Sequence, residues 1–216
     1  MYLVRLVRPK SGNVGSAEVD SYYEIIAKSQ EEAEAFIMKE GLWGGTLAER
    51  IAHRIGKRGE AHAMAMLSPG RQVYDASTGQ ILVFDAVKQY QNASGHGVDI
   101  LGRLAKDAEP DPPPFAGDFF SFEVKSTLGA VDDPPRLSGE QKDAVRFTRT
   151  RLERASKGSG AGYPELSDSD ADILDEAMLA LRKGRMHFRK IDARLDHSGN
   201  PGSANGKPSM EIKSWP

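Results

Sequence analysis

The sequence predicts a mixed α/β fold, with strands and helices interleaved along the chain. Three observations point there. Gly79-Gln-Ile-Leu-Val-Phe-Asp-Ala-Val87 is an apolar run of the kind found in buried strands. Phe119-Phe-Ser-Phe-Glu-Val-Lys-Ser-Thr127 sets Phe120, Phe122 and Val124 against Ser121, Glu123, Lys125 and Thr127, the period-two pattern of a strand with two unlike faces. Other segments carry helical spacing instead, above all Thr46 to Leu67 with Leu47, Ile51, Ile55, Met64 and Leu67.

Composition narrows the function classes. With 29 Lys and Arg against 31 Asp and Glu, the net charge of −2 excludes a broadly basic nucleic-acid coat but leaves room for a local basic groove. There is no cysteine, so disulfides, thiolate metal sites and a Cys nucleophile are excluded. The first ten residues are interrupted by Arg5 and Arg8, too early for a secretory apolar core. No stretch approaches the ~18 apolar residues of a membrane span. The expectation is a chain of 216 residues with no membrane partner and no signal peptide.

Residues 1–42 read as a small β-β-α accessory unit and residues 43–216 as the main domain. Tyr2 to Val7 and Tyr22 to Ala27 have strand character, and Ser29-Gln-Glu-Glu32 opens a helix to about Lys39. In Thr46 to Leu67, Gly56 and Gly59 mark either a break into two helices or a close packing contact. Gly97-Val-Asp-Ile-Leu101 reads as a strand, and the four prolines between Asp107 and Asp118 as an irregular loop. Ser138-Gly-Glu-Gln141 can cap a helix to about Ala155, and Ser169 or Asp170 another to Lys183, with Gly184 as its stop. Met186 to Leu195 reads as a last strand; Met210-Glu-Ile-Lys213 is too short to assign.

The chemistry-bearing feature is Asp99, followed 24 residues later by Glu123-Val-Lys125. Asp99 stands between Val98 and Ile100, so adjacent strands can bring it against Glu123 on one sheet face. Two carboxylates held close repel each other and favour a cation. Oxygen ligands of this kind suit Mg²⁺, which keeps several waters and takes substrate phosphate oxygens. Lys125 beside them can orient an attacking water or offset charge growing on phosphorus. Together these residues suit metal-dependent phosphodiester hydrolysis.

Other candidates carry two readings each. Glu60 is a metal ligand through water or the polar end of a surface helix. His96 is a phosphate donor or a bystander in a turn between two glycines. Gln141 orients a water or a phosphate, or serves only its capping box. Asp85 joins the metal cluster or makes a structural hydrogen bond within an apolar strand. Residues 136–158 hold seven basic against three acidic side chains, and Lys142, Arg146 and Arg149 have the spacing of one helix face that can follow a phosphate backbone. Residues 182–194 hold six basic residues against Asp192 and form a second basic stretch.

From about Gly56 to Ala155 these residues resemble the PD-(D/E)xK, or restriction-endonuclease-like, nuclease superfamily. Gly56-Lys-Arg-Gly-Glu60 corresponds to its helix bearing a Glu, Gly97-Val-Asp99 to the strand bearing its Asp, and Phe122-Glu-Val-Lys125 to its E-x-K strand. Leu137-Ser-Gly-Glu-Gln141 corresponds to the start of a following helix, often with a functional Gln. One departure is Val98, which stands where the family name has Pro. The resemblance implies a mixed β-sheet core flanked by helices and a catalytic set of Asp99, Glu123, Lys125, Glu60 and Gln141. It also implies Mg²⁺ at Asp99 and Glu123, with Mn²⁺ as a substitute. The chain looks particularly like nuclease domains of bacterial polymorphic toxins and secretion-system effectors. That likeness implies a DNase of interbacterial competition; the alternatives are an RNase or tRNA-cutting toxin of the same fold, or a catalytically idle binding module whose Asp99 and Glu123 are only structural. It further implies a cognate immunity protein, and action in the cytoplasm or after delivery by a dedicated secretion system.

Overall fold

The computed structural model describes residues 2–9, 19–27, 29, 32, 45–92, 96–106, 114–129, 134–196, 199–203 and 206–215. At the N-terminus, β1 (Tyr2–Pro9) pairs antiparallel with β2 (Val19–Ala27) in a two-stranded sheet of its own. The register shifts between Arg8 and Pro9, where proline has no N–H to offer the ladder. Ser29 Oγ accepts the Glu32 N–H at 3.2 Å, the first half of the predicted capping box. The rest of that predicted helix lies outside the described residues.

The main body is a mixed sheet of six strands with three α-helices among the described residues. Helix α1 (Gly45–Met66) leads into β3 (Gln72–Asp75), β4 (Gln80–Gln91), β5 (Gly97–Leu104) and β6 (Phe119–Leu128). Helices α2 (Ala144–Ala155) and α3 (Asp168–Arg182) then precede β7 (Met186–Leu195) and β8 (Met210–Ser214). Strands β3 to β6 form an antiparallel meander, β7 runs parallel to β6 over their full length, and β8 returns antiparallel to β7.

The sheet then closes, which corrects the expectation of a mixed sheet simply flanked by helices. Asp75 on β3 pairs parallel with Ile212 on β8, and the Ala76 N–H donates to the Ile212 carbonyl, giving a closed barrel. The two strands that meet there are four and five residues long, too short to carry a periodic signal. Pairing them removes both sheet edges. Behind the seam, Arg189 Nε donates to Asp75 Oδ2 at 2.7 Å while its guanidinium lies 5.6 Å from the Phe120 ring centroid.

Two apolar layers hold this sheet. Inside, Phe84 meets Phe120 and Phe122 edge-on at 5.5 and 5.7 Å, packed with Ile100, Ile191 and Ile212. Each such ring pair contributes about 0.5–1.5 kcal/mol beyond its burial. Ala63 of α1 and Leu67 just beyond its end complete this cluster. The sequence left α1 open to a break at Gly56 and Gly59, yet it is one helix. Gly59 is the close-packing alternative: a Cβ there would sit 1.8 Å from Ser126 Oγ and 2.7 Å from Ser126 Cβ. Outside, Tyr90, Val98 and Leu101 pack with Leu152 of α2 and with Leu174 and Ala177 of α3. Strand β5 is therefore buried on both faces, as its apolar sequence requires.

The helix expected to start at Ser138 begins instead at Ala144, preceded by a 3₁₀ turn over Glu140–Lys142. Asp143 captures the Arg146 N–H at 2.9 Å and is the true N-cap. Likewise Ser167, rather than Ser169 or Asp170, caps α3. Among the described residues no helix is long and apolar enough to cross a membrane.

Candidate active site

The β5–β6 register pairs Ile100 with Phe122 and Leu101 with Ser121. One step further along the same register, Asp99 falls opposite Glu123, and opposed residues on antiparallel strands share a face. Because Ile100 and Phe122 fill the barrel interior, Asp99 and Glu123 project outward, toward the α2 side. Both are deeply buried, at 8% and 3% exposure.

Asp99 is held by two neutral donors. Gln91 Nε2 reaches Oδ1 at 2.8 Å, and the Val124 backbone N–H reaches Oδ2 at 2.9 Å. Among the described residues no Lys or Arg forms an ion pair with it. Burial pushes its carboxyl well above the ordinary range, and the charges of Glu123 and Glu60 push it further. The two hydrogen bonds offset only part of this. Glu123 is raised as well, first by burial. Lys125, whose Nζ lies 2.9 Å from Glu123 Oε1, pulls it back, Glu60 pushes it up again, and Arg151 opposes Glu60. The site thus sets Asp99, Glu123 and Glu60 against Lys125, Lys57 and Arg151, and of the three carboxylates Asp99 is the one with no ion-pair partner among the described residues.

Two elements frame the pair. From α1, Lys57 Nζ binds Glu60 Oε2 at 3.0 Å and also donates to Gln91 Oε1, linking Glu60 to the amide that holds Asp99. From the turn before α2, Gln141 Nε2 donates to Glu123 Oε1 while its Oε1 accepts the Ser138 N–H at 2.9 Å. The Trp215 indole N–H donates to the Gln141 carbonyl at 2.5 Å, so this turn is fastened at both side chain and backbone. The capping-box bond and the contact to Glu123 coexist in one glutamine.

The structure thus brings Asp99, Glu123, Lys125, Glu60 and Gln141 together. It does not bring in the other candidates as a group. His96 is exposed in the β4–β5 turn, where its N–H donates to Asn92 Oδ1. Asp85 pairs with Arg103 at 2.7 Å, and Arg103 continues to Glu176 of α3. Lys142, Arg146 and Arg149 are all exposed, and Arg146 also lines a cavity of about 500 Å³ along α2. Lys142 lies in the 3₁₀ turn rather than in the helix, so the spacing that placed these three on one face does not apply.

The sequence gives no sign that Gln91, Lys57 and Arg151 reach the carboxylates; the basic stretch over residues 182–194 falls largely on β7, where it is part of a charged band shared with β8. The β6–β7 register sets Glu123 beside Lys190 and Lys125 beside Asp192. Buried Asp192 pairs with Lys190 at 2.7 Å and with Lys213 at 2.8 Å. Alternation in Lys190-Ile-Asp-Ala193 holds the signal for this band; for Gln91, at the end of a strand, the local sequence holds none.

No family model, curated protein or solved structure matches this chain.

Proposed function

We propose that this protein is a metal-dependent nuclease that hydrolyses phosphodiester bonds, with DNA as its substrate. The observation that carries the reading is the opposition of buried Asp99 and Glu123 across β5 and β6, with Lys125 bound to Glu123. The order of elements adds support. The helix bearing Glu60, the antiparallel β4-β5-β6 meander and the helix after it come in the order that the resemblance implies, within a sheet that β3 and β8 close into a barrel.

The residues fit a hard divalent cation. Asp99 and Glu123 offer oxygen ligands; burial is the first cause of their raised carboxyls, Glu123 and Glu60 add repulsion at Asp99, and a cation at the pair would relieve that repulsion. Among the described residues no group of three or more His, Asp or Glu side chains forms a ready-made cage, so water and substrate oxygens would complete the shell of Mg²⁺ or Mn²⁺. Bound there, the ion supplies Lewis-acid polarisation of the phosphate and a more acidic water. The chain supplies the rest. Lys125 Nζ orients the attacking water and offsets charge developing on the phosphate oxygens. Gln141 fixes the rotamer of Glu123, and Gln91 fixes that of Asp99. Glu60 adds the negative field that keeps the site cation-seeking.

On this reading the chain acts as a toxin or effector domain and has a cognate immunity protein. The test is expression of the wild type beside Asp99→Ala, scoring growth, DNA integrity and RNA integrity. The wild type should arrest growth with degraded DNA, and Asp99→Ala should not. Degraded RNA with intact DNA would move the substrate to RNA, and equal growth of both strains would remove the reading.

A further inference from the structure

Apart from Arg151, whose charge reaches Glu123, the residues lining the cavity on α2 take no part in the proposed hydrolysis. Arg146, Phe147, Thr150, Arg151 and Arg154 fall on one helical face at spacings of three and four, and Glu140 of the preceding 3₁₀ turn also lines the cavity. Neither Arg146 nor Arg154 makes a side-chain hydrogen bond or ion pair among the described residues. Arg151 is mostly buried, its guanidinium 5.0 Å from the Phe147 ring centroid. Among the described residues its sole carboxylate contact is Glu140 at 3.4 Å, a residue whose side chain is 82% exposed. Such a contact contributes little and is easily exchanged. A cavity with two unpaired guanidiniums and a third on a replaceable partner is built for an anion that accepts several hydrogen bonds at once.

We infer that this cavity is a phosphate-binding subsite for the nucleic-acid strand next to the bond that is cut, and that the incoming phosphate displaces Glu140 from Arg151. The inference rests on the nuclease reading for its ligand. Its position favours a strand phosphate: Glu140 in the cavity and Gln141 on Glu123 belong to the same 3₁₀ turn, and the Arg151 charge reaches Glu123. A strand lying across Glu123 therefore passes the cavity mouth. Filling the cavity also acts on the turn that orients Glu123.

The experiment measures binding of a short labelled DNA duplex in EDTA at two salt concentrations. Inorganic pyrophosphate serves as competitor, and thermal melts confirm folding. Arg146→Gln with Arg154→Gln is compared with Lys142→Gln with Arg149→Gln, which removes the same charge from residues outside the cavity. The cavity pair should weaken binding about tenfold or more and flatten the salt slope by about two phosphate contacts, while the control pair stays within about twofold. Glu140→Gln should tighten binding, and pyrophosphate should compete with the wild type but not with the cavity pair. Equal losses in both pairs, or no loss in the cavity pair, would overturn the subsite. Arg154→Gln alone, at an exposed position, decides the matter if the double variant misfolds. Cavity-dependent binding by a protein that cleaves nothing would leave the subsite standing and remove the nuclease reading. Cleavage with cavity-independent binding would do the reverse.

Discussion

Gln141 donates its side-chain amide to Glu123 while accepting the backbone N–H of Ser138, so one glutamine ties the turn before α2 to the strand bearing Glu123 and Lys125. Replacing it with Leu keeps the volume but loses both bonds. Activity should fall about 10–100-fold, the usual cost of losing a group that orients a metal ligand, with little change in melting temperature. Steady-state cleavage rates beside a melting curve check this. A large loss of stability instead would make Gln141 only a structural cap.

The sign of the Asp99 effect on stability follows from its raised carboxyl. In metal-free protein the folded state binds the Asp99 proton more tightly than the unfolded chain, whose ordinary value is 3.8. That contribution is fully present below 3.8 and is lost as pH rises through the raised folded value. Asp99→Asn should therefore raise the melting temperature in EDTA near neutral pH, by about 2–4 °C for each kcal/mol relieved. Added Mg²⁺ should stabilise the wild type but not the variant. Scanning calorimetry of both proteins, with EDTA and with Mg²⁺, reads all four values.

Asp75 has the opposite sign. Burial raises its carboxyl, but hydrogen bonds from Ser77 and Arg189 outweigh burial and hold it below 3.8. Its stabilisation is present above 3.8 and is lost as pH falls through the lowered folded value. Asp75→Ala leaves Arg189 unpaired behind the barrel seam and should cost about 3–5 kcal/mol at neutral pH. Urea unfolding of wild type and variant at neutral and acidic pH should show this gap narrowing in acid.

Legibility varied with the length of each element and with the reach of its contacts. The strands around Phe84 and Phe122 carry long apolar or alternating runs, and their outlines were readable. The shared face of Asp99 and Glu123 was readable too, because alternation along each strand determines it. Barrel closure was not, since it rests on Asp75 meeting Ile212 across 137 positions of sequence, between strands too short for a pattern. Gln91 and Arg151 were hidden for a related reason. Each is an ordinary polar residue locally and gains a role only when its element docks beside the carboxylates. The start of α2 was misplaced because Ser138-Gly-Glu-Gln141 and Asp143 both offer caps, and the capping box closes only a 3₁₀ turn.

Gly59 gives a purely steric test. In Gly59→Ala the new Cβ runs into Ser126 Oγ and Cβ, so α1 must move off β6, at a cost of about 1–3 kcal/mol. Glu60 moves with it, so activity should fall as well. Adding Ser126→Gly removes both clashing atoms and should restore part of each loss. A double-mutant cycle with no coupling would mean that α1 does not lean on β6 at Gly59.

The most direct measurement is cleavage of duplex DNA by the purified protein with Mg²⁺, run in parallel for wild type, wild type in EDTA, and Asp99→Asn. The account predicts degradation by the wild type with Mg²⁺ and none above background in the other two, with Asp99→Asn as well folded as its parent. Equal cleavage by wild type and Asp99→Asn, or a folded wild type that cleaves neither DNA nor RNA when Mg²⁺ is supplied, would contradict it.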